Sequence, residues 1–123
     1  MFNFLTGNEE MHLKNYSIIF LHDKVELTPA YDFLNSSIVL GKDAEESALT
    51  LKGKKKNLNK DILIEYLGVE RLNLNETVIN KTLGELKNAL PSWFNLLTDS
   101  FLGNNLKEQY IGLLEERIHL LQL

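Results

Sequence analysis

The spacing of apolar residues changes part-way along this 123-residue chain, and that change limits the kind of backbone each half can form. Up to about residue 58, apolar positions alternate with polar ones or stand in short runs. Tyr16-Ser-Ile-Ile-Phe-Leu21 is rich in β-branched and aromatic residues, and Val25-Glu-Leu-Thr28 alternates, as strands do. His22-Asp23-Lys24 supplies a turn between them, and Pro29 ends the second strand because it has no N–H for the ladder. Ala48–Leu51 is a weaker third strand candidate, leading into a turn at Gly53.

Beyond Asn59 the period lengthens to about 3.6 residues, that of an amphipathic helix. Asn59 is placed to cap a helix holding Ile62, Leu63, Tyr66 and Leu67, with Gly68 as its stop. Asn75 caps the next, where Val78, Ile79, Thr82, Leu83, Leu86 and Leu90 share a face. Pro91 suits the first turn of a third helix bearing Trp93, Phe94, Leu97 and Phe101, which ends near Gly103. A last helix begins near Asn105, with Leu106, Tyr110, Leu113, Leu114, Ile118 and Leu121 on one face and Glu108, Glu115 and Glu116 towards water. The expected fold class is therefore α+β and mostly α: a β-hairpin over about Tyr16–Thr28 packed on a bundle of about four helices. One domain, 1–123, is expected, with loops and hairpin in 1–58 and helices in 59–123.

Composition narrows the functions open to such a fold. Apolar residues make up 44% of the chain, enough for one core at this length, and the formal net charge is −4. No global positive field draws it to nucleic acid or to a membrane surface, and the basic run Lys52–Lys56 reads as a solvated loop tip. There is no cysteine, which excludes disulfides, thiolate catalysis and cysteine zinc sites. The N-terminal residues lack the pattern of a secretory signal, and no apolar run approaches the roughly 20 residues that span a bilayer. The expectation is a cytoplasmic protein with no direct nucleic-acid or membrane partner.

Chemistry-bearing residues crowd the first third. Phosphoryl transfer needs a carboxylate beside the attacking hydroxyl, a cation near the moving phosphate, and hard oxygen ligands for magnesium. Gly7-Asn-Glu-Glu-Met-His-Leu-Lys-Asn15 supplies Glu10, Lys14 and Asn15. The hairpin then returns the chain to its start, which brings Asp32 towards Asn15. An amide oxygen and a carboxylate side by side make a site of the kind magnesium prefers.

Glu10-x-His12-x-Lys14-Asn15, then a hairpin, then Thr28-Pro-x-Tyr-Asp32, resembles the catalytic and metal loops of the HipA-like serine/threonine kinases, toxin components of toxin–antitoxin systems. That family shows Asp-x-His-x-Lys-Asn and then Leu-Thr-Pro-x-Tyr-Asp, and Phe4-Leu-Thr-Gly-Asn8 matches its approach to the loop. The motifs cover Phe4 to about Leu34, and the helical remainder is compatible with a kinase C-lobe. The resemblance implies ATP and Mg2+ as cofactors. It places Glu10 where the family's Asp accepts the substrate hydroxyl proton. It has His12, Leu13 and Lys14 line the phosphates, Lys14 also offset the charge on the moving group, Asn15 and Asp32 hold magnesium, and Tyr31 border the nucleotide pocket. It further implies a protein substrate of the aminoacyl-tRNA synthetase class and a DNA-binding antitoxin partner.

The chain departs from that pattern at Glu10. Its extra methylene moves the carboxylate by roughly 1 Å, and a misplacement of that size costs on the order of 100-fold in rate. The 123 residues also hold no phosphate-covering loop or ATP-pairing lysine ahead of the motif. The chain is thus expected to be inactive alone and to need an N-lobe as partner, with self-association as the other way to cover its cleft.

Other readings of the same residues stand beside this one. His22 belongs in an exposed turn and His119 on a helix surface, while Asn15 and Asp32 taken singly are ordinary turn residues. Trp93, Phe94 and Phe101 suit inter-helix packing or an apolar patch left by a missing lobe. The alternative functions are a non-catalytic helical protein-interaction module, a degenerate kinase remnant, or a metal- or nucleotide-binding regulatory domain.

Overall fold

A short helix opens the chain, and its end sets the geometry of everything nearby. In the computed structural model, which describes residues 1–41 and 44–123, α1 spans Phe2–Thr6 and stops at Gly7. Gly7 is left-handed (φ 73°), its N–H donates to the Phe4 carbonyl at 3.4 Å, and the Asn8 N–H donates to the Asn3 carbonyl at 2.9 Å. This pair of bonds is a Schellman end. A Cβ on residue 7 would lie 2.6 Å from the Asn35 side-chain oxygen, so both the dihedral and the space demand glycine.

The hairpin is present where the alternation placed it. β1 (Ile18–Leu21) pairs antiparallel with β2 (Lys24–Leu27), and the Thr28 N–H extends the ladder to the Ser17 carbonyl at 2.9 Å. The turn is two residues, His22 and Asp23, both with positive φ, and Lys24 lies within β2 opposite Leu21. Two positive-φ residues give the turn the twist that flanking strands need.

Ala48–Leu51 is not a strand. Leu51 forms an isolated bridge with Lys54 around a tight turn in which Lys52 and Gly53 both have positive φ. Ala48, Leu51 and Leu58 instead turn into the core, so this loop is held by burial and not by a ladder. Lys52 stands over the Tyr66 ring at 5.8 Å and Lys55 pairs with Glu45 at 2.8 Å.

After α2 (Ser37–Leu40) and this loop come three long helices: a π-wound helix (Asp61–Arg71), α3 (Glu76–Asp99) and α4 (Asn104–Leu121). Asn59 and Asn75 cap the first two as the sequence suggests, accepting from the Ile62 and Val78 N–H groups at 3.0 and 2.9 Å. Two boundaries differ. Gly68 does not stop the first helix: it lies buried within it, at ordinary contact distance from Ile79, and the chain leaves instead through left-handed Asn73. Pro91 does not begin a helix either; it lies inside α3.

The core gathers Phe4 and Leu5 of α1, Leu51 and Leu58 of the loop, Ile62 and Leu63 of the π-wound helix, Leu90 and Leu97 of α3, and Leu114 and Leu121 of α4. Trp93 and Phe94 pack half-buried against it, whereas Phe101 is wholly exposed. Arg117 lies between Leu114 and Leu121 on the buried face of α4. Its guanidinium donates to the Phe4 carbonyl and, at 3.5 Å, to Ser37 Oγ, and it stands 4.9 Å from the centre of the Phe4 ring. Burial lowers its pKa from the ordinary arginine value, and the carboxylates of Glu46, Glu116 and Glu9 act in the opposite direction. This one side chain links α4 to both α1 and α2. Among the described residues, no helix is long and apolar enough to cross a membrane.

Candidate functional site

The segment after Gly7 folds back on itself because its polar groups satisfy one another locally. The Glu10 carbonyl accepts the His12 N–H at 2.7 Å, and the His12 carbonyl accepts the Asn15 N–H at 2.9 Å, which curls Leu13–Asn15 into a single 3₁₀ turn. That turn brings the Asn15 side chain to Asp32. Its Nδ2 donates to the Glu10 carbonyl at 3.0 Å and to Asp32 Oδ2 at 2.9 Å.

The hairpin delivers Asp32 to this point. Asp32 itself is left-handed (φ 58°), a conformation that aspartate tolerates better than most residues but that still needs support. One support comes from Asn8, whose Nδ2 donates to the Asp32 carbonyl at 3.2 Å. Another follows in the chain: the Phe33 ring meets Phe2 edge-on at 5.3 Å, and Phe2 meets Trp93 at 5.4 Å. Tyr31 is held by its hydroxyl, which lies 2.9 Å from Ser17 Oγ.

Asn15 and Asp32 are thus brought together, side chain to side chain. Glu10 joins them through its backbone, while its carboxylate lies 3.4 Å from His12 Nε2, both side chains being substantially exposed. Leu13 and Lys14 are exposed and, with His12 and Leu49, border a shallow surface depression beside the turn. Tyr31 lies beside Ser17. His22 and His119 are exposed. Among the described residues, no group of three or more His, Cys, Asp or Glu side chains could hold a metal ion by itself.

Glu9 contrasts with its neighbour. It is buried, its N–H donates to Ser36 Oγ at 3.1 Å, and its Oε2 has no hydrogen-bond partner. Burial raises its carboxyl pKa above the usual 4.5; a backbone hydrogen bond from Glu45 opposes this, Glu10 and Glu45 add to it, and Lys56 opposes it.

Asn8, Ser17 and Ser36 hold the site; the motif includes Asn8 without giving it a role, and Ser17 and Ser36 stand outside every motif residue named. Each acts through a bond to a residue distant along the chain, so local periodicity carries no trace of it. Residues 1–94 match the family described as HipA-like C-terminal domain. No curated protein matches the chain.

Proposed function

The chain belongs to the family of HipA-like C-terminal domains, and from that premise we propose that it supplies the catalytic and metal loops of an ATP- and Mg2+-dependent protein serine/threonine kinase. The observation that carries the reading is the 2.9 Å approach of Asn15 to Asp32 at the mouth of the hairpin. These two residues stand 17 positions apart, and the hairpin Ile18–Leu27 turns the chain back between them.

The donor chemistry fits magnesium. Asn15 and Asp32 offer an amide and a carboxylate oxygen, and magnesium commonly takes one or two protein ligands and fills its remaining positions with phosphate oxygens and water. In the arrangement seen, the Asn15 amide turns its nitrogen to Asp32, so holding the cation requires that amide to turn over and present its oxygen. Bound Mg-ATP supplies the phosphoryl group and screens its charge. Glu10 takes the proton from an attacking serine or threonine hydroxyl, and Lys14 offsets charge on the phosphate oxygens. His12 and Leu13 line the phosphates, and Tyr31, fixed by Ser17, borders the nucleotide.

These groups form half of what positions ATP, so transfer depends on an N-lobe, on the same polypeptide or another, that covers the phosphates. The outer face of the hairpin favours such a partner. Ile18 and Phe20 on β1 and Val25 and Leu27 on β2 share one face and are each at least 60% exposed. The same face favours the second reading, a protein-interaction module that requires no metal.

A phosphotransfer assay separates the two. The purified chain with Mg2+ and ATP is expected to transfer nothing alone. It is expected to become active when an N-lobe from a related kinase is added, and to lose that activity in Asp32→Ala. Robust transfer by the chain alone overturns the dependence on a second lobe. No transfer and no Mg-ATP binding in either condition overturns the kinase reading and leaves the interaction module.

A further inference from the structure

Asn8 is 1% exposed, and both ends of its amide are engaged. Its Oδ1 accepts the Glu10 N–H at 3.1 Å and its Nδ2 donates to the Asp32 carbonyl at 3.2 Å. One side chain therefore ties the backbone of the loop that carries Glu10 to the backbone of the residue opposite Asn15.

Its own position is over-determined. The Schellman end of α1 places its N–H on Asn3, and the residues on either side are stitched to the far segment. The Gly7 carbonyl accepts the N–H groups of Ser36 and Ser37 at 3.0 and 3.1 Å, and Ser36 Oγ donates to that carbonyl and accepts from the Glu9 N–H. The amide is thus fixed before it reaches Glu10 or Asp32. Asp32, by contrast, is left-handed and exposed, and a residue in that conformation stays there only when its surroundings hold it.

We propose that Asn8 is the positioning residue of the site: by clamping Glu10 and Asp32 backbone to backbone, it sets the separation at which the Asn15 and Asp32 side chains meet. Its importance for phosphoryl transfer rests on the kinase reading, whereas the clamp itself does not. Asn8 touches neither nucleotide nor substrate and acts only through Glu10 and Asp32. The loss of a hydrogen-bond partner to a ligating side chain typically weakens metal binding about 10–100-fold, and Asn8 stands one step behind that, on the Asp32 backbone.

Asn8→Asp is the informative change. It is nearly isosteric and keeps an acceptor for the Glu10 N–H, and once ionised, at a pH well above the carboxylate range, it offers the Asp32 carbonyl no donor. In the full 15N-labelled chain, three quantities are read for both proteins: melting temperature, hydrogen exchange of the Asn15 side-chain amide, and affinity for Mn2+ as a spectroscopic stand-in for Mg2+. The proposal expects faster exchange at the Asn15 amide in Asn8→Asp, continued protection of the Glu10 N–H, and a fall of about 10-fold or more in Mn2+ affinity. A lower melting temperature with unchanged Asn15 exchange assigns Asn8 a merely structural role and overturns the proposal. If wild type binds no Mn2+ while the variant frees the Asn15 amide, the clamp stands and the metal role of the pair falls. If the variant does not fold, exchange in wild type decides. Protection of both the Asn8 side-chain amide and the Glu10 N–H supports the clamp, and exchange of either at the rate of a free amide overturns it.

Discussion

Glu9 and Glu10 are adjacent in sequence, yet they occupy different electrostatic environments. Glu10 reaches water beside His12, whereas Glu9 is buried with an unpartnered oxygen. Burial raises the Glu9 pKa, so the folded protein retains this proton after the unfolded chain has released its own. The folded state then binds more protons than the unfolded one, and stability falls as pH rises from about 4.5 towards the raised value. Glu9→Gln removes that slope. The melting temperature of Glu9→Gln relative to wild type is expected to rise as the pH is raised from about 4.5. A constant difference over that range would show that Glu9 ionises alike in both states. None of this distinction is legible in the sequence, where Glu9 and Glu10 are two like residues in a polar stretch. Only the fold over Ser36 buries one of them.

Pro91 shows how packing along an element overrides a local signal. A proline usually opens a helix because it lacks an N–H, and inside one it removes the bond to the carbonyl four residues earlier, here Lys87. Yet Ile79, Leu83, Leu86, Leu90, Trp93, Phe94 and Leu97 keep one helical phase across it, and Pro91 itself falls on the exposed side. Burying that stripe against α4 and the core favours one continuous helix over two. Replacing Pro91 with Ala restores the missing bond and should raise stability by about 1–3 kcal/mol in a chemical melt. A neutral or destabilising result would mean that α3 relies on the proline's rigidity. Where no such conflict exists the sequence reads well, as with the helix starts at Asn59 and Asn75 and the hairpin over β1 and β2.

Over the whole molecule, the parts proposed to carry chemistry and the parts that carry stability are set apart. Leu114 is 1% exposed amid the helices, whereas Phe20 on the hairpin is 73% exposed. Leu114→Ala should therefore cost about 2–5 kcal/mol in denaturant unfolding. Phe20→Ser should stay within about 0.5 kcal/mol. A large loss in Phe20→Ser would reveal that the hairpin face is covered in solution by another copy or a partner. The helical half provides a base to which Arg117 ties α1 and α2, and the loops of Glu10, Asn15 and Asp32 stand on α1 and the hairpin above it.

By itself the sequence determined the helix-rich half, the hairpin and its place between two polar motifs, because periodicity and turn chemistry are local properties. The motif residues also carried the family to which the chain belongs. The tertiary structure alone decided that α3 runs through Pro91, that the chain around Ala48–Leu51 is buried loop and not strand, and that Arg117 serves the core. It also decided that Asn8 bridges Glu10 and Asp32. Each of these depends on contacts between residues far apart in sequence, and their energies exist only once the chain has closed on itself.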